Sequence, residues 1–384
     1  MERNDPRVAD EHRRLAATLM QGFARRTGLV GEAASRRYLW TDAFAVCNFL
    51  ALGDDASALR LVGAVHGTLG RFRDDDTRSG WLHGPHGNAD EENPTRAGLR
   101  IGKPLPERAA DAPFDPQQEW DRDGQYFHYL TRWMHALSRT ALATGRPALA
   151  VWAWELALAA YGGFVQRESG RPRMVWKMST DLSRPLVPSM GHHDPLDGWA
   201  TTSVAALVST DLGIAPPPVL DAALGDYAAM LPGRDWTTTD PLGIGGVLGA
   251  LDQIACLDDR GVTVPADLPE ALLNAALEGL QMFATQFRPE APARERLGFR
   301  ELGLAIGLSV VEPLSATATG ARHRQLLDGL RDFLPLGRSI ETFWLHEDHR
   351  RSATWQEHLD INEVMLATSL VPGGVLASAG TTPG

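Results

Sequence analysis

Four acids stand where paired carboxylate chemistry could be done: Asp42, Asp197, Glu301 and Glu357. Each lies about one turn into a strongly apolar run. Burial of that kind raises a carboxyl pKa and makes a proton donor. Two such groups facing each other across a sugar would cleave a glycosidic bond, one as acid and one as base or nucleophile. The plain alternative for each acid is a helix cap or an ion pair. Four histidines offer a second chemistry. His128, His192, His193 and His358 could pass a proton to and from carbon beside a carbonyl, as an epimerase or isomerase requires. A polysaccharide lyase would draw on the same residue types.

These groups concentrate in residues 177–198, KMSTDLSRPLVPSMGHHDPLDG. Lys177, Asp181, Arg184, His192, His193, Asp194 and Asp197 alternate there with Met178, Leu182, Leu186 and Met190, the pattern of a loop folded over a cleft. Asp194-Pro195 reads as a helix start, with Asp as cap and Pro at the first helical position. His83-x-x-His86 with Asp90 has a ligand-like spacing, but no helix or cysteine supports it, and no metal is expected. No GxGxxG motif, phosphate-binding loop or nucleophile elbow occurs, so no cofactor is expected.

Helices must hold these residues. Apolar runs begin near 38, 124, 195, 241, 299 and 355, and amphipathic runs lie between them. The reading is twelve helices in six hairpins, with an apolar inner member and an amphipathic outer one. An all-α (α/α)6 barrel with long loops over one mouth satisfies that pattern; a two-layer solenoid would repeat at a regular period. The inner starts carry Arg37, Tyr38, Trp40 and Asp42; then Tyr126 and His128; then His192 to Asp197; then Asp240; then Arg300 and Glu301; then Trp355, Glu357 and His358. The expected catalytic set is therefore Asp42, His193, Asp197, Glu301 and Glu357. The expected substrate contacts are Trp40, Tyr126, His128, Lys177, Arg184, His192, Arg300, Trp355 and His358.

The chain has 384 residues, 43% hydrophobic and 22% charged, enough for one large globular domain over 1–384. Residues 72–122 are rich in Asp, Gly, Pro and Arg, yet hold Trp81, Leu82, Leu99 and Ile101, and are expected to form a lid. Residues 373–384 read as a flexible tail. The net charge of -11, without a basic run, argues against nucleic acid and anionic membranes. The polar N-terminus is no secretory signal, and no apolar run is long enough to span a membrane. Cys47 and Cys256 read as buried thiols in a reducing compartment, so a cytoplasmic protein is expected. Eleven Trp against five Tyr suit a sugar-like small molecule, since the indole face packs on a pyranose, though most will be core.

Six hairpins with tryptophan at inner-helix starts resemble the six-hairpin glycosidase-like superfamily, which shares its barrel with the N-acylglucosamine 2-epimerase group. The resemblance covers nearly the whole chain and is architectural. It implies a site at the mouth where inner helices begin, and a glycoside hydrolase acting on a small saccharide, with a sugar epimerase or isomerase as the alternative.

Overall fold

The computed structural model describes residues 6–377. Its helices, in chain order, are α1 (Pro6–Arg26), α2 (Leu39–Ala51), α3 (Asp55–Leu69), α4 (Pro116–Asp121), α5 (Phe127–Thr144), α6 (Pro147–Phe164), α7 (Asp194–Asp211), α8 (Val219–Ala229), α9 (Pro241–Asp259), α10 (Leu268–Gln286), α11 (Gly298–Leu308), α12 (Val311–Thr317), α13 (Ala321–Arg331), α14 (Leu334–Leu345), α15 (Glu347–Arg350), α16 (Ala353–Glu357) and α17 (Leu359–Leu370). Short strands lie in the loops: β1 (His83–Gly84), β2 (Gly87–Asn88), β3 (Gln125–Tyr126), β4 (Val165–Glu168), β5 (Arg171–Met174), β6 (Lys177–Met178) and β7 (Pro185–Val187). Packing groups the chain into two units. One comprises residues 25–46 and 54–232, the other 1–24, 47–53 and 233–384, so α2 gives its first half to one and its second half to the other.

The unit of residues 25–46 and 54–232 is built on α5. It packs against α6, α7 and α3, burying Trp133, Met134, Leu137 and Ala141. Gly145, in the left-handed region at φ 60°, stops the helix and turns the chain into α6. Residues 72–122 are a folded excursion. Phe72, Leu82, Ala89 and Ala97 make a small core beside Trp81. The β1–β2 hairpin pairs His83 with Asn88. Arg78 grips Asp76, Glu107 and Asp181 at 2.8–2.9 Å, which ties the excursion to the segment between β6 and β7. Residues expected to close the barrel as a lid are thus held by ion pairs and a core of their own.

His66 shows what burial does here. It is fully enclosed on α3, accepts a hydrogen bond from Trp133 Nε1 at 3.0 Å and meets Trp152 edge-on. Burial pushes its imidazole down to about 3. The unfolded chain takes up that proton near 6.5 and the folded protein does not. Stability is therefore full above about pH 6.5 and falls as pH drops toward 3, by up to about 1.4 kcal/mol per pH unit. The melting temperature should fall between about pH 6.5 and 5, above the range where carboxylates titrate, and His66→Gln should flatten that slope. An unchanged slope in the variant would refute the assignment.

In the unit of residues 1–24, 47–53 and 233–384, α9 and α11 approach most closely. A Cβ on Gly245 would lie 2.1 Å from the Gly303 carbonyl oxygen, so only glycine permits this crossing. α10 covers α9 and packs on α13, while α11 also meets α14 and α17. Asn48, on the second half of α2, donates to the Val364 carbonyl at 3.0 Å. Of the expected tail, Gly374 lies against the Cys47 carbonyl, and Ala377 donates its N–H to Asp252 at 2.6 Å; residues 378–384 are outside the described part.

The expected inner-helix starts near 38, 124, 195, 241 and 299 coincide, within three residues, with α2, α5, α7, α9 and α11. The sixth, near 355, is broken at His358 into α16 and α17. Twelve helices undercount the seventeen described: α4, α12, α14 and α15 lie outside the expected runs and one run divides into α16 and α17, the longest of the additions, α14, lying behind Pro335 and Gly337. Proline at the start of a helix forfeits no hydrogen bond, and Gly337 packs on Leu308. The cap of α7 is His193 rather than Asp194, whose carboxylate turns back to accept the Gly191 N–H at 3.0 Å.

Candidate active site

Three elements bring aromatic and ionisable groups together in the unit of residues 25–46 and 54–232. An extended segment links the C-terminal end of α3 to the N-terminal ends of α2 and α5. Arg100 N–H donates to Leu69 O, Leu39 N–H to Ile101 O, and Ile101 N–H to Gly124 O. β3 then pairs antiparallel with β6, Tyr126 opposite Lys177, and β6 with β7. The N-terminal ends of α5 and α7 lie together. A Cβ on Gly198 would touch Phe127 at 3.0 Å, and Arg132 reaches Asp197 at 3.3 Å.

An aromatic cluster results. Tyr126 lies 4.8 Å from Trp176 and 5.2 Å from Tyr129, centroid to centroid. His128 stacks parallel to Trp176, 6.0 Å away with 5° between the planes, and meets Tyr129 edge-on. Tyr38 and Tyr129 share a hydrogen bond of 2.6 Å between their hydroxyls. Trp120, 52% exposed, stacks on Trp176 from the solvent side. Lys103 sits over the rings of Tyr38 and Trp120. Burial drives the Tyr38 and Tyr126 hydroxyls up and the Lys103 ammonium down.

His128 is the distinctive member. Neither ring nitrogen has a hydrogen-bond partner among the described residues. Burial first, then the charge of Arg132, holds its imidazole down to about 3. It is a neutral donor and acceptor with no protein group to serve. Arg132 follows one helical turn later on the same face.

The other expected residues of this unit have varied surroundings. Lys177 is fully buried, and its ammonium donates to Glu119 Oε1 at 2.9 Å, Glu119 O at 2.7 Å and Arg122 O at 2.8 Å. All three of its protons are used, so it anchors β6. Desolvation lowers its pKa against the pull of Glu119. Asp42 accepts from Tyr38 N–H at 2.9 Å and from Arg37 at 3.4 Å, and is 2% exposed. Trp40 is buried against Phe44. Arg184 donates to the Arg108 carbonyl. His192 and His193 touch edge to face at 4.5 Å just before α7, one turn ahead of Asp197.

The remaining five belong to the other unit. Glu301 receives Arg296 through contacts of 2.7, 2.9 and 3.1 Å and Trp344 Nε1 at 2.8 Å. Arg300 pairs with Asp240 at 2.8 Å. Trp355 is 1% exposed and stacks on Trp344. Glu357 and His358 are exposed at the α16–α17 break, His358 edge-on to Phe299.

No known family pattern matches the chain, and no characterised relative matches it by sequence. Solved structures do. A cellobiose 2-epimerase from Spirochaeta thermophila DSM 6192 aligns over 94% of this chain and 98% of its own, at 12% identity and a TM-score of 0.50. The fold is an (α/α)6 barrel. A D-mannose isomerase also aligns, over 86% of both chains, at 11% identity and a TM-score of 0.43. At such identities the likeness speaks for architecture alone. No helix of the described barrel is long and apolar enough to cross a membrane.

Sequence reasoning passed over Tyr129, Arg132, Trp176, Trp120 and Lys103. Tyr129 and Arg132 had a usable signal, lying one and four residues after His128 on the same helix. Trp176 lies next to Lys177, but its partner Tyr126 is set by the β3–β6 register. Lys103 and Trp120 reach the cluster only through the fold of the long excursion.

Proposed function

We propose that this barrel is a sugar epimerase or aldose–ketose isomerase that moves a proton at the carbon beside the carbonyl of an open-chain sugar. The observation that carries the reading is His128, neutral, without a protein partner, and stacked on Trp176. The aromatic faces of half-buried Trp176 and Tyr129, backed by buried Tyr126, would take the apolar face of the sugar, and the Tyr38–Tyr129 hydroxyls its polar edge. His128 and His193, each at the start of a neighbouring inner helix, would be the acid–base pair. One removes the C2 proton, the C–H electrons pass to the carbonyl oxygen, and an enediolate forms. Reprotonation at C2 from the other face gives the epimer, and at C1 the isomer. Arg132 would steady the enediolate, positioned by Asp197.

A neutral imidazole of low pKa is a weak base in the free protein. The negative charge of the enediolate favours its protonated form and so matches it to this step. The glycosidase reading has less support here. Asp42 and Glu301 have their oxygens committed to arginine and to N–H donors, which leaves little freedom to protonate a leaving group. The same architecture carries a 2-epimerase, so the fold is compatible with the chemistry. The test is solvent exchange. Incubated with glucose, mannose or cellobiose in D2O, the protein should wash deuterium into C2, as seen by loss of the C2 proton resonance. Hydrolysis of aryl glycosides without any C2 exchange would replace this reading by the glycosidase one.

A further inference from the structure

A cleft of about 660 Å³ opens beside the aromatic cluster. It is lined by Arg36, Arg37, Arg71, Arg73, Arg100 and Lys103, against only two acids, Asp74 and Asp75. Six cations and two anions line it, and the buried carboxylates of Asp123 and Asp42, paired with Arg100 and Arg37, leave an excess of two positive charges, on a chain whose net charge is -11. Cations so concentrated normally repel, and the fold separates the structural from the available ones. Arg100 is held by buried Asp123 and by the Thr68 and Arg71 carbonyls. Arg73 is held by Asp75 through two bonds of 2.6 and 2.8 Å. These fix the wall.

Two side chains are available to a ligand instead. Arg71 is exposed, has no carboxylate partner among the described residues, and is laid flat on Trp81 at 4.4 Å. Lys103 likewise has no ion-pair partner among the described residues; its ammonium lies over the Tyr38 and Trp120 rings, with the charges of Asp121 and Asp123 acting on it from further off. Arg37 is fully buried behind the wall, held by Asp42 at 3.4 Å and by the Thr27 carbonyl, and counts with the structural cations. Lys103 belongs both to this cleft and to the aromatic cluster, so the two adjoin at that residue. Low-dielectric walls focus such a field and select anions.

We propose that the sugar processed at the aromatic cluster carries an anionic group, a phosphate, sulfonate or carboxylate, and that the arginine cleft is the subsite for that group. This rests on the sugar epimerase or isomerase reading and names its substrate class. Planar guanidinium forks suit all three oxyanions. The experiment measures binding by tryptophan fluorescence, with Trp120 and Trp176 as reporters, for glucose, glucose 6-phosphate, glucuronate and inorganic phosphate. C2 exchange in D2O is followed alongside for the three sugars. Expected is at least tenfold tighter binding of one anionic sugar over glucose. That margin should shrink as salt rises from roughly 0.05 to 0.5 M, as screening demands. Arg71→Gln and Lys103→Gln should each erase most of the margin while melting with the parent. Comparison of glucose 6-phosphate with glucuronate tells phosphate from carboxylate. Equal binding of neutral and anionic sugars, or a margin untouched by both variants, overturns the proposal. Phosphate that binds the parent and both variants alike is an adventitious ion only, and overturns it too. Exchange of glucose with no anion preference would sink the subsite and leave the epimerase reading standing. Anion preference without C2 exchange in any sugar would do the reverse.

Discussion

His128→Asn should lower turnover by about three orders of magnitude, within the range removed with a general acid–base group, and leave the melting temperature where it was. The two halves have separate causes. The imidazole makes no hydrogen bond to the described protein, so truncation breaks none and leaves no buried partner exposed. Its stacking on Trp176 is partly kept by a planar amide. The activity loss follows from its place among Trp176, Tyr126 and Tyr129, where a sugar would present its carbonyl carbon. A second readout separates catalysis from mere contact. Because burial holds the free protein's His128 near 3, any acid limb of kcat/KM above about pH 4 must come from another group, since kcat/KM reports the free enzyme. His128→Asn should then lower the profile without shifting it. If His128→Asn keeps more than a tenth of the turnover, the proton-transfer role is lost. A variant that melts early and keeps its activity per folded molecule would make His128 a core residue.

The inner helices were legible because they are buried nearly all round. Runs such as 241–257 and 299–308 lack any polar face, and no other element type tolerates that length. What decides whether a side chain at a helix start serves the site or the core was not legible. Trp40 and Trp355 read as platforms for a sugar and are both buried, one on Phe44 and the other on Trp344. A tryptophan's type and spacing are the same in either place. Lys177 read as a cleft lysine because it stands in a charged loop. Its partner Glu119 lies 58 residues away on α4, and only the fold of the long excursion brings the two together. Tyr126 and His128, by contrast, stand at an inner-helix start as their own positions implied, since β3 leads straight into α5 and leaves little freedom to place them elsewhere.

Glu301→Leu should cost about 3–5 kcal/mol, the usual penalty for breaking a buried ion pair. That would lower the melting temperature by on the order of 10 °C in a unit of this size. Its carboxylate is the hub of a closed arrangement. Arg296, whose side chain is 4% exposed, spends its fork on Glu301 and lies 3.7 Å over the Phe343 ring. Trp344 gives its indole N–H to the same oxygen and stacks on Trp355. Remove the acid and a guanidinium stays buried without a counter-charge, while an indole donor loses its acceptor. Gln keeps one acceptor oxygen, so Glu301→Gln should cost less than Leu. The double variant Arg296→Met with Glu301→Leu should recover part of the loss, because both buried charges leave together. Turnover per folded molecule should stay within about threefold of the parent, the span expected when no general acid or base has been removed. This separates the two roles open to an acid one turn into an apolar helix. A fall of a hundredfold or more in kcat for Glu301→Gln, with the melting temperature unchanged, would return Glu301 to the chemistry. It would also revive paired-carboxylate hydrolysis over proton transfer by histidine.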